Sequence, residues 1–193
     1  APTVAFGQGY SLTAMQATSI FATIANDGVK VTPTLIAGHS DAAGRYTPSN
    51  KQSSQRVISK ETAAKMRLMM ESVVSAAGTA PGAAITGYRV AGKTGTARRV
   101  DDACGCYRGY TASFIGFAPA DAPKYVVSVT IQDPKGIYYG GYLGGPVFKE
   151  VMSFVLKDQR IPPTAKAKEL YALDEKSLAK KIAQQSRAPE SKP

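Results

Sequence analysis

Four consecutive residues, Lys93-Thr94-Gly95-Thr96, hold the densest set of groups able to do chemistry. Lysine supplies a fixed positive charge, suited to a substrate carboxylate and to a neighbouring nucleophile. The hydroxyls of Thr94 and Thr96 can donate to that same carboxylate. Gly95 removes a side chain where an extended ligand must come close. The backbone N–H of Thr96 can form one arm of an oxyanion hole, stabilising charge on a carbonyl oxygen under attack. Together these groups suit acyl transfer. As three letters, Lys-Thr-Gly is equally a turn at the end of a strand, and the triplet leaves both readings open.

The other reactive residues narrow the chemistry. The single His39 argues against a His-dependent triad or a histidine metal centre. Cys104 and Cys106 stand alone in Cys-Gly-Cys, with no second pair to complete a zinc site, so no metal is expected. They are either two free thiols or a bridge across one residue. Ser177-Leu178-Ala179-Lys180 is a Ser-x-x-Lys, but it lies in a lysine-rich stretch where nothing builds a desolvated pocket. No Ser-x-Asn occurs. Arg98, Arg99 and Tyr107 flank the cysteine loop; a solvated face is expected of them before substrate contact.

The elements that must position these groups follow from the pattern. The chain has 193 residues, 44% of them hydrophobic, enough for one domain with a buried core. A helix is expected from Ser11 to Asn26-Asp27-Gly28, with Ala17, Ile20, Phe21 and Ile24 on one face. Val29 to Ile36 reads as an edge strand or extended connection, and 38–56 as a surface loop. A second helix runs from about Ser59 to Ala77, its stripe Met66, Met69, Met70, Val73 and Val74. Tyr88 to Thr96 reads as a strand, Arg98 to Gly109 as a loop, and Ser113–Ala118 and Lys124–Ile131 as two more strands. Pro146 is expected at the first position of a last helix carrying Phe148, Val151, Met152 and Val155. The order helix, helix, three strands, helix implies an α+β domain, an antiparallel sheet covered by helices. Two units are expected: 1–157, and a basic, partly helical or disordered tail over 158–193.

The formal charge is +10, yet charged residues are only 20% of the chain, so the imbalance reflects scarce acids. The densest basic stretch lies in the tail without interleaved aromatics, which argues against a nucleic-acid module. No apolar run approaches the length of a membrane span. The opening Ala1-Pro2-Thr3 reads as the interior of something longer.

Lys-Thr-Gly is one of three signatures of penicillin-recognising serine acyltransferases. Gly7-Gln8-Gly9 before a helix, then MESVVSAAGTA, YRVAGKTGTA, YTASFIGFAPAD, KYVVSVTI and GGPVFKEV, in that order over about residues 4–157, resemble the C-terminal part of the transpeptidase domain of class B penicillin-binding proteins. The resemblance is to the septal cell-division type (penicillin-binding protein 3), and the Cys-Gly-Cys loop looks like that of actinobacterial members. Leu143-Gly144-Gly145-Pro146 departs from the small alanines many members carry before that proline.

The resemblance implies helices on both faces of the sheet, of which this chain is the C-terminal part. It implies a cofactor-free D,D-transpeptidase that cross-links peptidoglycan stem peptides, is trapped by β-lactams and acts in septal wall synthesis. Lys93, Thr94, Gly95 and Thr96 map onto the family's third motif, as substrate-binding residues, with Lys93 and Thr96 also catalytic. The nucleophilic serine is expected in an upstream segment docked against this one. Divisome membrane proteins are implied as partners, and anchorage at the extracytoplasmic face of the membrane through an anchor outside this chain. The alternatives are an elongation or sporulation paralogue, a D,D-carboxypeptidase, or a non-catalytic sensor or scaffold.

Overall fold

The computed structural model describes residues 11–49 and 53–164. At its centre lies an antiparallel three-stranded meander of β5 (Ala91–Asp101), β6 (Cys106–Ala118) and β7 (Tyr125–Gln132), in the order β5-β6-β7. Side chains alternate between faces along each strand. Phe114 and Ala118 of β6 therefore join Val127 and Val129 of β7 on one face, and Phe117 joins Val126 on the other. Helix α3 (Gly140–Asp158) covers the first face with Phe148, Met152 and Leu156, all but sealed from solvent. The Phe114 and Phe148 rings meet edge to face, centroids 4.9 Å apart. Helices α1 (Ala14–Ala25) and α2 (Lys60–Glu71) cover the second face with Phe21, Ile24, Ala25 and Met70. The expected architecture, a sheet with helices on both faces, is the one observed. Each large apolar side chain so buried contributes about 1.5–3 kcal/mol.

Several local expectations are corrected. Helix α1 starts at Ala14, capped by Thr13 in a reciprocal box with Gln16 rather than by Ser11. Its packing face is Phe21, Ile24 and Ala25, each partly buried; Ile20 is half exposed. The 38–56 region contains paired strands: β2 (Gly38–Ser40) with β3 (Tyr46–Pro48), and β4 (Ser54–Arg56) with β1 (Val29–Val31). β1 lies in the segment expected as an edge strand or extended connection, but β2, β3 and β4 are mostly exposed and carry no apolar alternation, so only their backbone pairing identifies them. Asp41 ties the β2–β3 turn by accepting from the N–H groups of Ala43 and Arg45. Helix α2 ends at Glu71 and tightens into a 3₁₀ turn, Ser72–Val74; Met70 and Val74 are buried while Met69 is 59% exposed.

The supposed loop Arg98–Gly109 is mostly strand. β5 and β6 stay paired out to Asp101↔Cys106, with a register shift between Arg98 and Val100. Arg98, Val100, Tyr107 and Arg108 are exposed, and the half-buried positions between them, Arg99 and Asp101, are charged, so no apolar alternation marks this stretch.

Helix α3 begins six residues before Pro146, which lies inside it. Glycines 140, 141, 144 and 145 are all buried, and they let the first two turns lie directly on the sheet and on the turn Pro81–Ala83. A Cβ at Gly140 would collide with the carbonyl oxygens of Gly95 and Ser113. Close packing here outweighs the poor helix propensity of glycine and proline. Beyond α3, Ile161 packs on the core and the Tyr88 hydroxyl donates to its carbonyl at 2.6 Å. The tail from 165 on, with Ser177 and Lys180, lies outside the described residues. No described helix is long and apolar enough to cross a membrane.

Candidate active site

Lys93-Thr94-Gly95-Thr96 sit in β5, paired with Ile115, Phe114, Ser113 and Ala112. Among the described residues no strand pairs with the far side of β5. The quartet is therefore on an open sheet edge, where an extended peptide can add as a further strand. Strand, not terminal turn, is the state observed for Lys-Thr-Gly.

Lys93 is exposed. Its ammonium donates to the carbonyl of Thr94 at 3.0 Å and to the Thr94 hydroxyl at 3.3 Å. No described carboxylate pairs with it. Its positive charge therefore remains available to an anionic ligand. Thr94 Oγ1 lies 3.1 Å from Thr79 Oγ1, and Thr96 Oγ1 accepts from the Gly140 N–H at 3.1 Å. Gly95 has a second reason to be glycine: a Cβ there would strike the Ser113 hydroxyl across the pair.

The quartet is thus held by groups that sequence reasoning overlooked. Thr79 follows Gly78 at the end of the α2 region, and Gly140 starts α3. The only local hint was the glycine beside each, since both contacts span long sequence separations.

Beyond Thr96 the hairpin is basic. Arg98 is exposed, and the Nε of half-buried Arg99 is buried without a partner among the described residues. Asp133 takes a 2.6 Å bond from Lys135, which holds its carboxyl below the usual value; Arg99 and Arg108 add to the effect. Tyr110 and Tyr138 stack, centroids 4.1 Å apart and 7° from parallel, and Tyr139 leans on Tyr138. A hydrogen bond with Tyr139, and repulsion from the neighbouring Tyr139 and Tyr110 phenolates once these ionise, raise the Tyr138 hydroxyl pKa. Tyr107 is exposed at the hairpin end. Cys104 and Cys106 are joined by a disulfide at that tip, Cα atoms 5.2 Å apart, which settles the choice between thiols and bridge. Among the described residues no cluster of His, Cys, Asp or Glu is placed to hold a metal ion.

Set against known proteins, residues 1–153 match the family model for the penicillin binding protein transpeptidase domain. The chain is 40% identical over 166 residues to penicillin-binding protein PbpB of Mycolicibacterium smegmatis, covering 81% of this chain and 26% of that protein. It is 39% identical over 164 residues to stage V sporulation protein D of Bacillus subtilis, covering 83% and 25%. A crystal structure of penicillin-binding protein 3 from Mycobacterium tuberculosis, complexed with aztreonam, superposes with TM-score 0.75 at 34% identity, covering 84% of this chain and 38% of that one. The chain spans about a quarter of the length of the curated relatives it matches.

Proposed function

This chain belongs to the penicillin binding protein transpeptidase domain family, and on that premise we propose that it forms one wall of a serine-type peptidoglycan D,D-transpeptidase active in septal wall synthesis. The observation that carries the reading is the open β5 edge with an unpaired ammonium and two oriented hydroxyls. A D-Ala-D-Ala stem peptide adds antiparallel to that edge. Its terminal carboxylate takes hydrogen bonds from Thr94 and Thr96 and the charge of Lys93. A serine hydroxyl, supplied by a segment outside these 193 residues, attacks the penultimate D-Ala carbonyl. Its proton passes to a base on that segment, and the oxyanion draws on the Thr96 N–H. The peptide C–N bond breaks, terminal D-Ala leaves, and the amine of a neighbouring stem displaces the serine to form the cross-link.

β-Lactams present a comparable anion (a carboxylate or sulfonate) and a strained amide, and trap the serine. Relatives complexed with aztreonam and with ampicillin support this ligand class. The partners are accordingly the serine-bearing segment, stem peptides, β-lactams and membrane proteins of the division machinery. The site faces the extracytoplasmic side, with the anchor outside this chain.

The test is Lys93→Ala in a polypeptide holding both this chain and the serine segment. Acylation by a labelled penicillin falls at least about tenfold, the scale of one lost charge-assisted bond, while the melting temperature stays put because an exposed charge adds little stability. Equal acylation rates in mutant and parent refute the role. The 193-residue chain alone should not acylate.

A further inference from the structure

We propose that Thr79 is a positioning residue for this site: its hydroxyl fixes the rotor of Thr94 so that the Thr94 proton points toward a bound carboxylate. The inference deepens the reading above and rests on it.

A threonine hydroxyl has one proton to give and two lone pairs to receive with. At Thr94 the Lys93 ammonium lies 3.3 Å from the oxygen and fills one lone pair. The Thr79 oxygen lies 3.1 Å away, where either hydroxyl can donate; in the arrangement proposed, the shared proton is that of Thr79. With the proton so assigned, both Thr94 lone pairs are filled, and among the described residues its own proton is left for the open side of β5. Thr96 is arranged on the same principle, since the Gly140 N–H occupies its oxygen and leaves its proton to donate. Two neutral donors and one ammonium then converge on one anion. Hydrogen bonds to a charged acceptor are about twice as strong as neutral ones, so the direction of each proton matters.

The backbone around Thr79 is built to hold this geometry. Ala80 is fully buried and its N–H donates to the Val73 carbonyl at 2.9 Å. The Gly78 N–H donates to the Ser75 carbonyl at 2.8 Å, and a Cβ at Gly78 would collide with the Val73 carbonyl. On the other side, a Cβ at Gly141 would collide with the Thr79 carbonyl and come within 2.8 Å of Thr94 Cγ2. An exposed hydroxyl is thus set on a pinned segment between β5 and the start of α3. A surface threonine without such a task needs none of this.

The experiment compares Thr79→Val, which keeps the shape, with Thr79→Ser, which keeps the hydroxyl. Both are placed in a polypeptide that also carries the serine segment, beside Lys93→Ala. Second-order acylation constants are measured for a labelled penicillin and for its methyl ester, which lacks the anion. Thr79→Val slows the acid about tenfold, the worth of one bond to a charged group, while Thr79→Ser stays within about twofold and the ester loses less than about twofold. The inference is overturned if Thr79→Val matches the parent, if valine and serine slow the acid equally, or if acid and ester fall by the same factor. Should Lys93→Ala leave acylation unchanged, the transpeptidase reading fails, whatever Thr79 does. A Lys93→Ala loss with a silent Thr79→Val removes this inference alone.

Discussion

Replacing Gly140 with alanine tests the claim that close packing, not propensity, starts α3. In a helix interior alanine is favoured over glycine by about 1 kcal/mol, and less of that gain is realised at a first position. Propensity alone therefore predicts a small stabilisation. The structure predicts the opposite. The added methyl meets the carbonyl oxygens of Gly95 and Ser113 and lies 2.8 Å from the Ser113 nitrogen. These atoms belong to the ladder of two paired strands and cannot rotate aside. Helix α3 has to lift from the sheet, loosening the Phe114–Phe148 contact. Overpacking costs typically about 1–3 kcal/mol, and backbone collisions belong at the upper end, so a net loss of about 2 kcal/mol is expected. For a chain of this size that lowers the melting temperature by about 4–8 °C. Gly145→Ala is the control, its methyl only 3.2 Å from the Ala83 nitrogen and 3.6 Å from the Ala83 Cβ. There strain and propensity nearly cancel, and the net change stays within about 0.5 kcal/mol. Thermal unfolding followed by circular dichroism reads both. A Gly140→Ala chain melting at or above the parent would refute the reasoning.

Phe148→Ala removes a fully buried ring and should cost about 3–5 kcal/mol in urea unfolding, whereas Phe154→Ala, at a ring 70% exposed, should change stability by less than about 0.5 kcal/mol; similar losses would contradict the assignment of α3's buried face. Asp27, held below its ordinary 3.8 first by the Arg67 hydrogen bond and then by the charges of Arg67 and Lys60, stabilises the fold while ionised. That contribution is present above 3.8 and lost as pH falls through the lower folded-state value. The parent should therefore unfold at higher urea than Asp27→Asn near neutral pH, with the gap closing below 3.8; asparagine also tolerates the positive φ of 51° there, and a gap constant with pH would exclude the ion pair as its cause. Thiol titration of the denatured, unreduced chain should find no reactive cysteine among its two, and both after reduction; the Cys104→Ser, Cys106→Ser double variant should lose no more than about 1.5 kcal/mol, because so short a loop costs the unfolded chain little entropy.

The sheet and its two helical covers were legible because β7 and the centre of β6 are nearly continuous apolar or β-branched runs, and because α2 and α3 carry apolar residues at helical spacing. Lys93 to Thr96 stood out as candidates because a charge, two hydroxyls and a glycine in four positions are unusual chemistry for a strand. The outer half of the β5–β6 hairpin was not legible, since its half-buried positions, Arg99 and Asp101, are charged and show no apolar alternation. The start of α3 was hidden for the opposite reason: glycine and proline argue locally against a helix, and only contacts with Gly95, Ser113 and Ala83 explain them. Thr79 was invisible because its meaning lies in a hydroxyl fifteen positions away.

Among the described residues no strand pairs with the outer edge of β5, and such an edge is as inviting to a second copy of the chain as to an extended peptide. Two such margins meeting head to tail would bring Lys93 and Arg98 of each copy, both exposed, into mutual repulsion. Lys93, proposed above to draw in a carboxylate, and Arg98 thereby act as gatekeepers against self-association. Neutralising them would leave a sticky, oligomer-prone surface.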